Sequence, residues 1–346
     1  MFDFGRWEKD SLTCAREISQ TLKVSISGLE QTVQRYPALI NNYYLGLALE
    51  AGSPILRQVL PDSEETGIDN EKLTEDPVGE DLYSPIPNLT HRYKDRVLLL
   101  ISDRCPIYCR FCTRKRKVGR SLKVTDATVR DGIEYIKKHT GIRDVLLSGG
   151  DPLMLEDERL VQILSEIRTI PHVEIIRIGT RVPAALPERI STDLAAMLSG
   201  FAPLYIHTHF NHPAEMTAKA REACLSLARA GIPLGNQTVL LHGINDAPDT
   251  LEKLFRELLT VRVRPYYLFQ MDTVKGTGHF GTPLMTGVRI MDELHRRTSP
   301  MALPAFVVDL PDGKGKVFPT RSSILHPGTP EQAIITPDGE IIPYPD

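Results

Sequence analysis

Three of the five cysteines in this 346-residue chain fall together, in Cys105-Pro-Ile-Tyr-Cys109-Arg-Phe-Cys112. A C-x3-C-x2-C spacing sets three thiolates on one loop, enough for three corners of an iron–sulfur cube. A structural zinc needs a fourth close ligand, and the nearest histidines, His91 and His139, stand at no finger spacing. Three unbound thiols beside arginines would oxidise readily. The spacing therefore points to a metal centre, with an iron–sulfur cluster ahead of zinc. Cys14 and Cys224 stand alone and read as small buried apolar residues.

Other residues could take part. Six basic side chains crowd Arg110 to Arg120, with Arg92 and Arg96 upstream; such a run suits a solvated face, a nucleic-acid patch or an anion site. Ser148-Gly149-Gly150-Asp151-Pro152 is by itself an ordinary turn sequence. Asp309-Leu-Pro-Asp-Gly-Lys-Gly-Lys316 is either a turn exposing two lysines or an arm carrying a Schiff-base lysine. Asp272 and Asp309 each end an apolar run, where a lone aspartate reads as a cap or turn residue. Meeting in one pocket, the two would repel unless a cation lay between them. A lysine ammonium or a guanidinium would serve.

The elements that must position these residues show in the apolar pattern. Short runs at Val97–Ile101, Val145–Leu147, Val173–Ile178, Leu204–Thr208, Gln237–Leu241 and Tyr266–Phe269 alternate with longer helical stretches. Those stretches are Asp126–His139, Glu156–Thr169, Pro187–Leu198, Glu215–Ala230 and Thr250–Val261, with a final helix at Thr286–Arg297. Apolar strands separated by helices imply a parallel α/β sheet buried on both faces. Six units suit a partial or closed β/α barrel, with a doubly wound sheet as the rival. Polar residues gather at the strand ends, where parallel α/β enzymes build their sites. The expected organisation is a helical and extended segment over 1–90, a barrel core over 91–283, and a C-terminal segment with the lysine loop over 284–346. Residues 54–90, rich in Pro, Asp and Glu, read as wrapping or connecting chain.

Composition bounds the partners. With 41 basic and 44 acidic residues the net charge is −3, so no global field attracts nucleic acid. No apolar run approaches the roughly 20 residues of a membrane helix. The charged start MFDFGRWEKD is unlike a signal peptide, and a cytoplasmic location is expected.

With these residues in view, the chain resembles the radical S-adenosylmethionine superfamily. The likeness rests on C-x3-C-x2-C after the first barrel strand and Ser148–Pro152 after the second. More narrowly it is similar to the lysine 2,3-aminomutase family. The matching stretches are Tyr108-Cys109-Arg110-Phe111-Cys112-Thr113-Arg114, His207–Pro213, Leu234-Gly235-Asn236-Gln237, Arg262–Tyr267 and Phe306-Val307-Val308-Asp309.

The resemblance implies a partial (β/α)6 barrel with N- and C-terminal extensions. It implies a [4Fe–4S] cluster on Cys105, Cys109 and Cys112, with S-adenosylmethionine on the open iron. Gly149, Gly150 and Asp151 would lie at that cofactor. Lys316, rather than Lys314, would be the catalytic lysine holding pyridoxal 5′-phosphate, with Arg92 and Arg96 at its phosphate and Gln237 nearby. Arg114 would pair with the substrate α-carboxylate, and Asp272 and Asp309 would grip a lysine side chain. Glutamate-specific relatives carry a cationic and a neutral residue at those two positions. Lys115, Arg116, Lys117 and Arg120 are left as surface charge. The implied reaction is amino migration from C2 to C3 of lysine, fed by an electron donor such as flavodoxin or ferredoxin. An arginine 2,3-aminomutase and a β-lysine maker for elongation factor P are the alternatives, and a non-catalytic iron–sulfur or zinc protein is the rival class. One departure stands out. Family members that carry structural zinc place a Cys after the Asn-Asp pair, where this chain has Ala247. That zinc is expected to be absent, and a homo-oligomer is left as an open expectation.

Overall fold

The computed structural model describes residues 2–67, 73–120 and 123–344. Met1 and residues 345–346, the outer ends of the first and last expected segments, lie outside the described residues. The alternating pattern folds as one nine-stranded sheet whose strands neighbour each other in chain order. The strands are β1 (Leu89–Tyr93), β2 (Arg96–Ser102), β3 (Asp144–Gly149), β4 (Ile175–Gly179), β5 (Leu204–Thr208), β6 (Leu234–Leu240), β7 (Val263–Gln270), β8 (Ala305–Leu310) and β9 (Gly315–Val317). Strands β2 to β8 are parallel, and β1 and β9 pair antiparallel at the two edges. The sheet curls until Arg92 of β1 comes within 3.3 Å of Asp309 of β8, without the edge strands pairing. It is a partial barrel.

Six helices cover its outer face: Asp126–Lys138, Asp157–Arg168, Thr192–Ser199, Ala218–Arg229, Pro248–Thr260 and Leu284–Arg297. Each turns one apolar stripe inward, as Val129, Ile133 and Ile136 do on the first. That helix starts on a Thr125–Thr128 capping box. The stripes meet the outward residues of the strands, such as Val145, Leu147, Ile176 and Ile178, in one continuous core. The six expected strand–helix units are present, from β2 with Asp126–Lys138 to β7 with Leu284–Arg297, and a seventh parallel strand follows them. The run Ala305–Leu310 follows the last crossover helix as its strand and pairs with β7. It reads on its own as the approach to the lysine loop, because its partner is set only by the curl of the sheet.

The front of the chain builds a second core. Helices Leu29–Arg35 and Asn42–Ala51 flank Pro37, and Ile18, Ile40, Tyr44 and Ile55 pack with Ile107 of the cysteine loop. A small antiparallel sheet, Ile324–Leu325, Ala333–Ile335 and Ile341–Pro343, closes the other end. Among the described residues no helix is long and apolar enough to cross a membrane.

Residues 54–90 do more than connect. Glu65, with a fully buried side chain, accepts from Arg110 Nε at 2.9 Å and pairs with Lys115 Nζ at 2.7 Å. Burial pushes Lys115 down to about 8, with the Arg110 charge adding to it and Glu65 opposing. Lys115 is thus a buried partner and not surface charge. Removing one member of a buried charge group leaves the others uncompensated. Glu65→Gln should lower stability by about 3–5 kcal/mol, measured as a fall in the urea midpoint. An unchanged midpoint would show that the group carries no such load.

Candidate active site

The cysteine loop leaves the carboxyl end of β2 and returns to the core through Ile107 and Phe111. All three thiols are free. Burial, then the neighbouring thiols, pushes Cys105 well up and Cys112 to about 11. Three thiolates held together need positive charge among them, which iron ligation would supply. Glycines let the β3 end come close: a Cβ on Gly150 would sit 2.9 Å from Cys105 Sγ and 2.2 Å from the Arg104 carbonyl oxygen. Gly149 has φ +142, and a Cβ there would lie 2.2 Å from the Ser102 carbonyl oxygen. No side chain fits at either position.

Asp151 is spent on protein donors. It accepts from Leu153 N, from the Thr180 hydroxyl at 2.8 Å and from Arg181 N at 2.7 Å. Burial pushes its carboxyl up to about 6 against those donors. Its geometry is that of a clamp between the ends of β3 and β4, with the two glycines presenting the backbone. Arg181, at the end of β4, is central. It donates to Cys109 Sγ at 2.6 Å and is held by Glu215 at 2.9 Å and by Gln58 and Tyr44. Its partners come from four separate stretches of chain, so local sequence carried no signal for it.

Across the mouth, Asp272 and Asp309 come together with Lys316. The β8–β9 turn pairs Asp309 opposite Lys316, and the Lys316 ammonium lies 2.6 Å from both Asp309 carboxylate oxygens. Gly313 and Gly315, with φ +71 and +103, allow that tight return. Arg92 also reaches Asp309. The Thr113 hydroxyl donates to Asp272 at 3.3 Å, tying the pair to the cysteine loop. Next along the chain, Arg114 holds Glu80, with Nη2 at 2.6 Å and Nε at 2.8 Å, and turns Nη1 to the Ser148 hydroxyl at 3.4 Å. Nothing in the local sequence marks Glu80 as the partner, since it stands 34 residues from Arg114. Arg116 pairs with Asp76 at 3.1 Å and with Asp81, and Lys117 pairs with Asp81 at 3.1 Å. These are partners of the acidic stretch, not loose surface charge. Arg120 is exposed.

Arg92 and Arg96 flank one ring, 5.0 and 3.9 Å from the centre of Tyr93. Arg96 also pairs with Asp95 at 3.0 Å and is partly exposed. Gln237 sits half-buried on β6 beside Tyr267 of β7. His207, on β5, packs against Tyr266, and its buried Nδ1 has no partner among the described residues. An unpaired buried nitrogen among half-buried polar groups fits a bound polar cofactor. Cys224 is buried as expected, whereas Cys14 is exposed and caps the helix Ala15–Leu22, accepting from Glu17 N.

A seven-strand open β/α barrel with three free cysteines after its first parallel strand is the architecture of a radical S-adenosylmethionine enzyme. Residues 99–257 match the Radical SAM superfamily. The L-lysine 2,3-aminomutase of Fusobacterium nucleatum is 46% identical over 321 residues, 90% of this chain and 74% of that protein. That of Clostridium subterminale is 44% identical over 318 residues, 90% and 76% of the two chains. The glutamate 2,3-aminomutase of Clostridioides difficile is 41% identical over 310 residues, 89% and 73%. The chain belongs to the lysine 2,3-aminomutase family. It is an isomerase whose cofactors are a [4Fe–4S] cluster, S-adenosylmethionine and pyridoxal phosphate.

The carboxylate pair makes the cofactor-free site sensitive to pH. Burial, then the Asp309 charge, pushes Asp272 up to about 7. A carboxyl raised above its unfolded value binds a proton in the folded state only, so stability falls as pH rises through that interval. From about pH 4 to about 7, the unliganded protein should lose stability relative to Asp272→Asn. Thermal midpoints across this range should favour the Asn variant more at pH 7 than at pH 4. A constant difference would mean that Asp272 is ionised throughout.

Proposed function

We propose that this protein converts L-lysine to β-lysine by 2,3-amino migration. The observation that carries the reading is the meeting of Asp272, Asp309 and Lys316 beside the loop of Thr113 and Arg114. A cation at one end and two carboxylates at the other are what an amino acid with a basic side chain requires. The relatives named above divide between lysine and glutamate 2,3-aminomutases. Two acidic residues at the side-chain end favour lysine, because a glutamate side chain would add a third carboxylate.

Cys105, Cys109 and Cys112 would hold the cluster, and Lys316 would hold pyridoxal phosphate, with Arg92, Arg96 and Gln237 toward its phosphate. When bound, the cluster with S-adenosylmethionine supplies hydrogen-atom abstraction, and pyridoxal phosphate supplies the carbonyl through which an amino nitrogen moves. The chain's own residues orient and enclose the substrate. Arg114 Nη1 receives the α-carboxylate, and Asp272 and Asp309 receive the ε-ammonium. Asp309 also accepts from the Lys316 amine, with both carboxylate oxygens at 2.6 Å, and so holds that side chain in place whenever it is free. Gly149 and Gly150 bring backbone against the cysteine loop, and the 73–84 stretch covers the mouth and keeps water from it. An electron donor of the flavodoxin or ferredoxin class would reduce the cluster in the cytoplasm.

Four outcomes test this. Ala at Cys105, Cys109 or Cys112 should lower cluster iron and abolish S-adenosylmethionine cleavage; stoichiometric zinc without iron after anaerobic preparation would exclude the cluster. Borohydride reduction should leave the pyridoxyl label on Lys316, and a label on Lys314 or Lys275 would move the assignment. Lysine should be turned over far faster than glutamate, with arginine as the informative competitor. Asn at Asp272 or Asp309 should cost about 2–5 kcal/mol of transition-state binding, and full lysine activity in the double variant would end the proposal.

A further inference from the structure

The stretch 73–84 runs along the end of the site that holds Arg114, Asp272 and the lysine loop. Thr74 bonds to the backbone just after Asp272, with Thr74 N to Thr273 O at 2.9 Å and Lys275 N to Thr74 O at 3.0 Å. The Val78 carbonyl accepts from Arg92 at 3.3 Å. Gly79 lies against the lysine loop, where a Cβ would be 3.1 Å from the Asp312–Gly313 backbone. Asp76 then accepts from the backbone N–H of Glu80 at 3.0 Å and of Asp81 at 2.9 Å, fixing the turn from which Glu80 projects.

Glu80 meets one edge of the Arg114 guanidinium. Its Oε1 lies 2.8 Å from Nε and 2.6 Å from Nη2, and its Oε2 lies 3.2 Å from Nε. Burial opposes its charge, but Arg114 holds the carboxyl below its usual value, so the pair is ionic at neutral pH. A guanidinium is planar, and a carboxylate on its Nε edge fixes the direction of the opposite end. That end is Nη1, beside Ser148 Oγ at the end of β3.

We propose that Glu80 is a positioning residue for the substrate α-carboxylate, holding Arg114 by one edge so that its Nη1 end faces the bound amino acid. The proposal rests on Arg114 being the carboxylate-binding cation. Glu80 does not compete with substrate for Arg114, because the two carboxylates use different edges of one guanidinium. Its negative charge lowers the net charge of the pocket, so the fit comes from direction and not from excess positive field. The same side chain fastens the 73–84 stretch over the mouth, which links closure of the site to the geometry of its carboxylate end.

The test compares lysine with 1,5-diaminopentane, which lacks only the α-carboxylate. Their binding to the pyridoxal-phosphate-loaded protein without S-adenosylmethionine is read from the cofactor absorbance, and steady-state lysine kinetics are measured on the fully loaded enzyme. Glu80→Gln should weaken lysine about tenfold while leaving 1,5-diaminopentane within about twofold, and raise the lysine KM more than it lowers kcat. Glu80→Asp, which keeps the charge but retracts it by one methylene, should show the same selectivity at smaller size. In an Arg114→Gln background Glu80→Gln should add less than about twofold, because the two act as one unit. Asp81→Asn, which loosens the stretch from Arg116 and Lys117 without touching Arg114, should leave lysine binding unchanged. Equal loss of both ligands in the Glu80 variants, or a matching loss in Asp81→Asn, would overturn the positioning role. If Arg114→Gln itself fails to separate lysine from 1,5-diaminopentane, the reading of Arg114 falls; if it separates them and the Glu80 variants do not, only the Glu80 proposal falls.

Discussion

Buried cations beside the cysteine loop are the constraint on which the rest of this structure depends. Arg110, Arg114 and Lys115 follow or interleave the three cysteines and are carried into the interior with them. Charges removed from water must be paired and hydrogen-bonded or the fold does not tolerate them. Glu65 answers Arg110 and Lys115, and Glu80 answers Arg114. Arg181, entering from the end of β4, is answered by Glu215. The N-terminal segment is drawn onto the mouth of the barrel by these pairs as much as by its own apolar core.

That pairing also explains how one loop serves two kinds of site. Cys109 faces Arg181, whereas Thr113 and Arg114 face Asp272, Ser148 and Glu80. The turn between them brings the cysteines and the substrate end onto one short stretch of chain. Coupling radical generation to a bound amino acid requires that closeness, because a reactive group must meet its target before water or the protein does.

On the far side, the β8–β9 return imposes its own economy of charge. Asp309 faces Lys316 directly across the antiparallel pair, and Arg92 and Asp272 close in from β1 and the end of β7. The pocket thus holds two carboxylates, a lysine and an arginine within one curl of the sheet. For a basic guest to bind as proposed, Lys316 must be engaged elsewhere, which would free Asp309 for a second ammonium.

The cysteine spacing, the parallel α/β class and five of the six crossover helices within a few residues are legible in the sequence, because each rests on local period or spacing. Pro187–Leu198 was less so: its first turn is a 3-10 segment and the helix begins at Thr192. Strand Ala305–Leu310 could not be counted as the seventh, since its partnership is decided by how far the sheet curls. The resemblance named Arg114, Asp272 and Asp309, but the partners Glu65, Glu80 and Arg181 lay outside it. Glu65 stands 45 residues from Arg110, Glu80 stands 34 from Arg114, and Arg181 stands 72 from Cys109. A buried charge states only that it needs a counter-charge, and which carboxylate supplies it is decided by the tertiary fold that desolvates both.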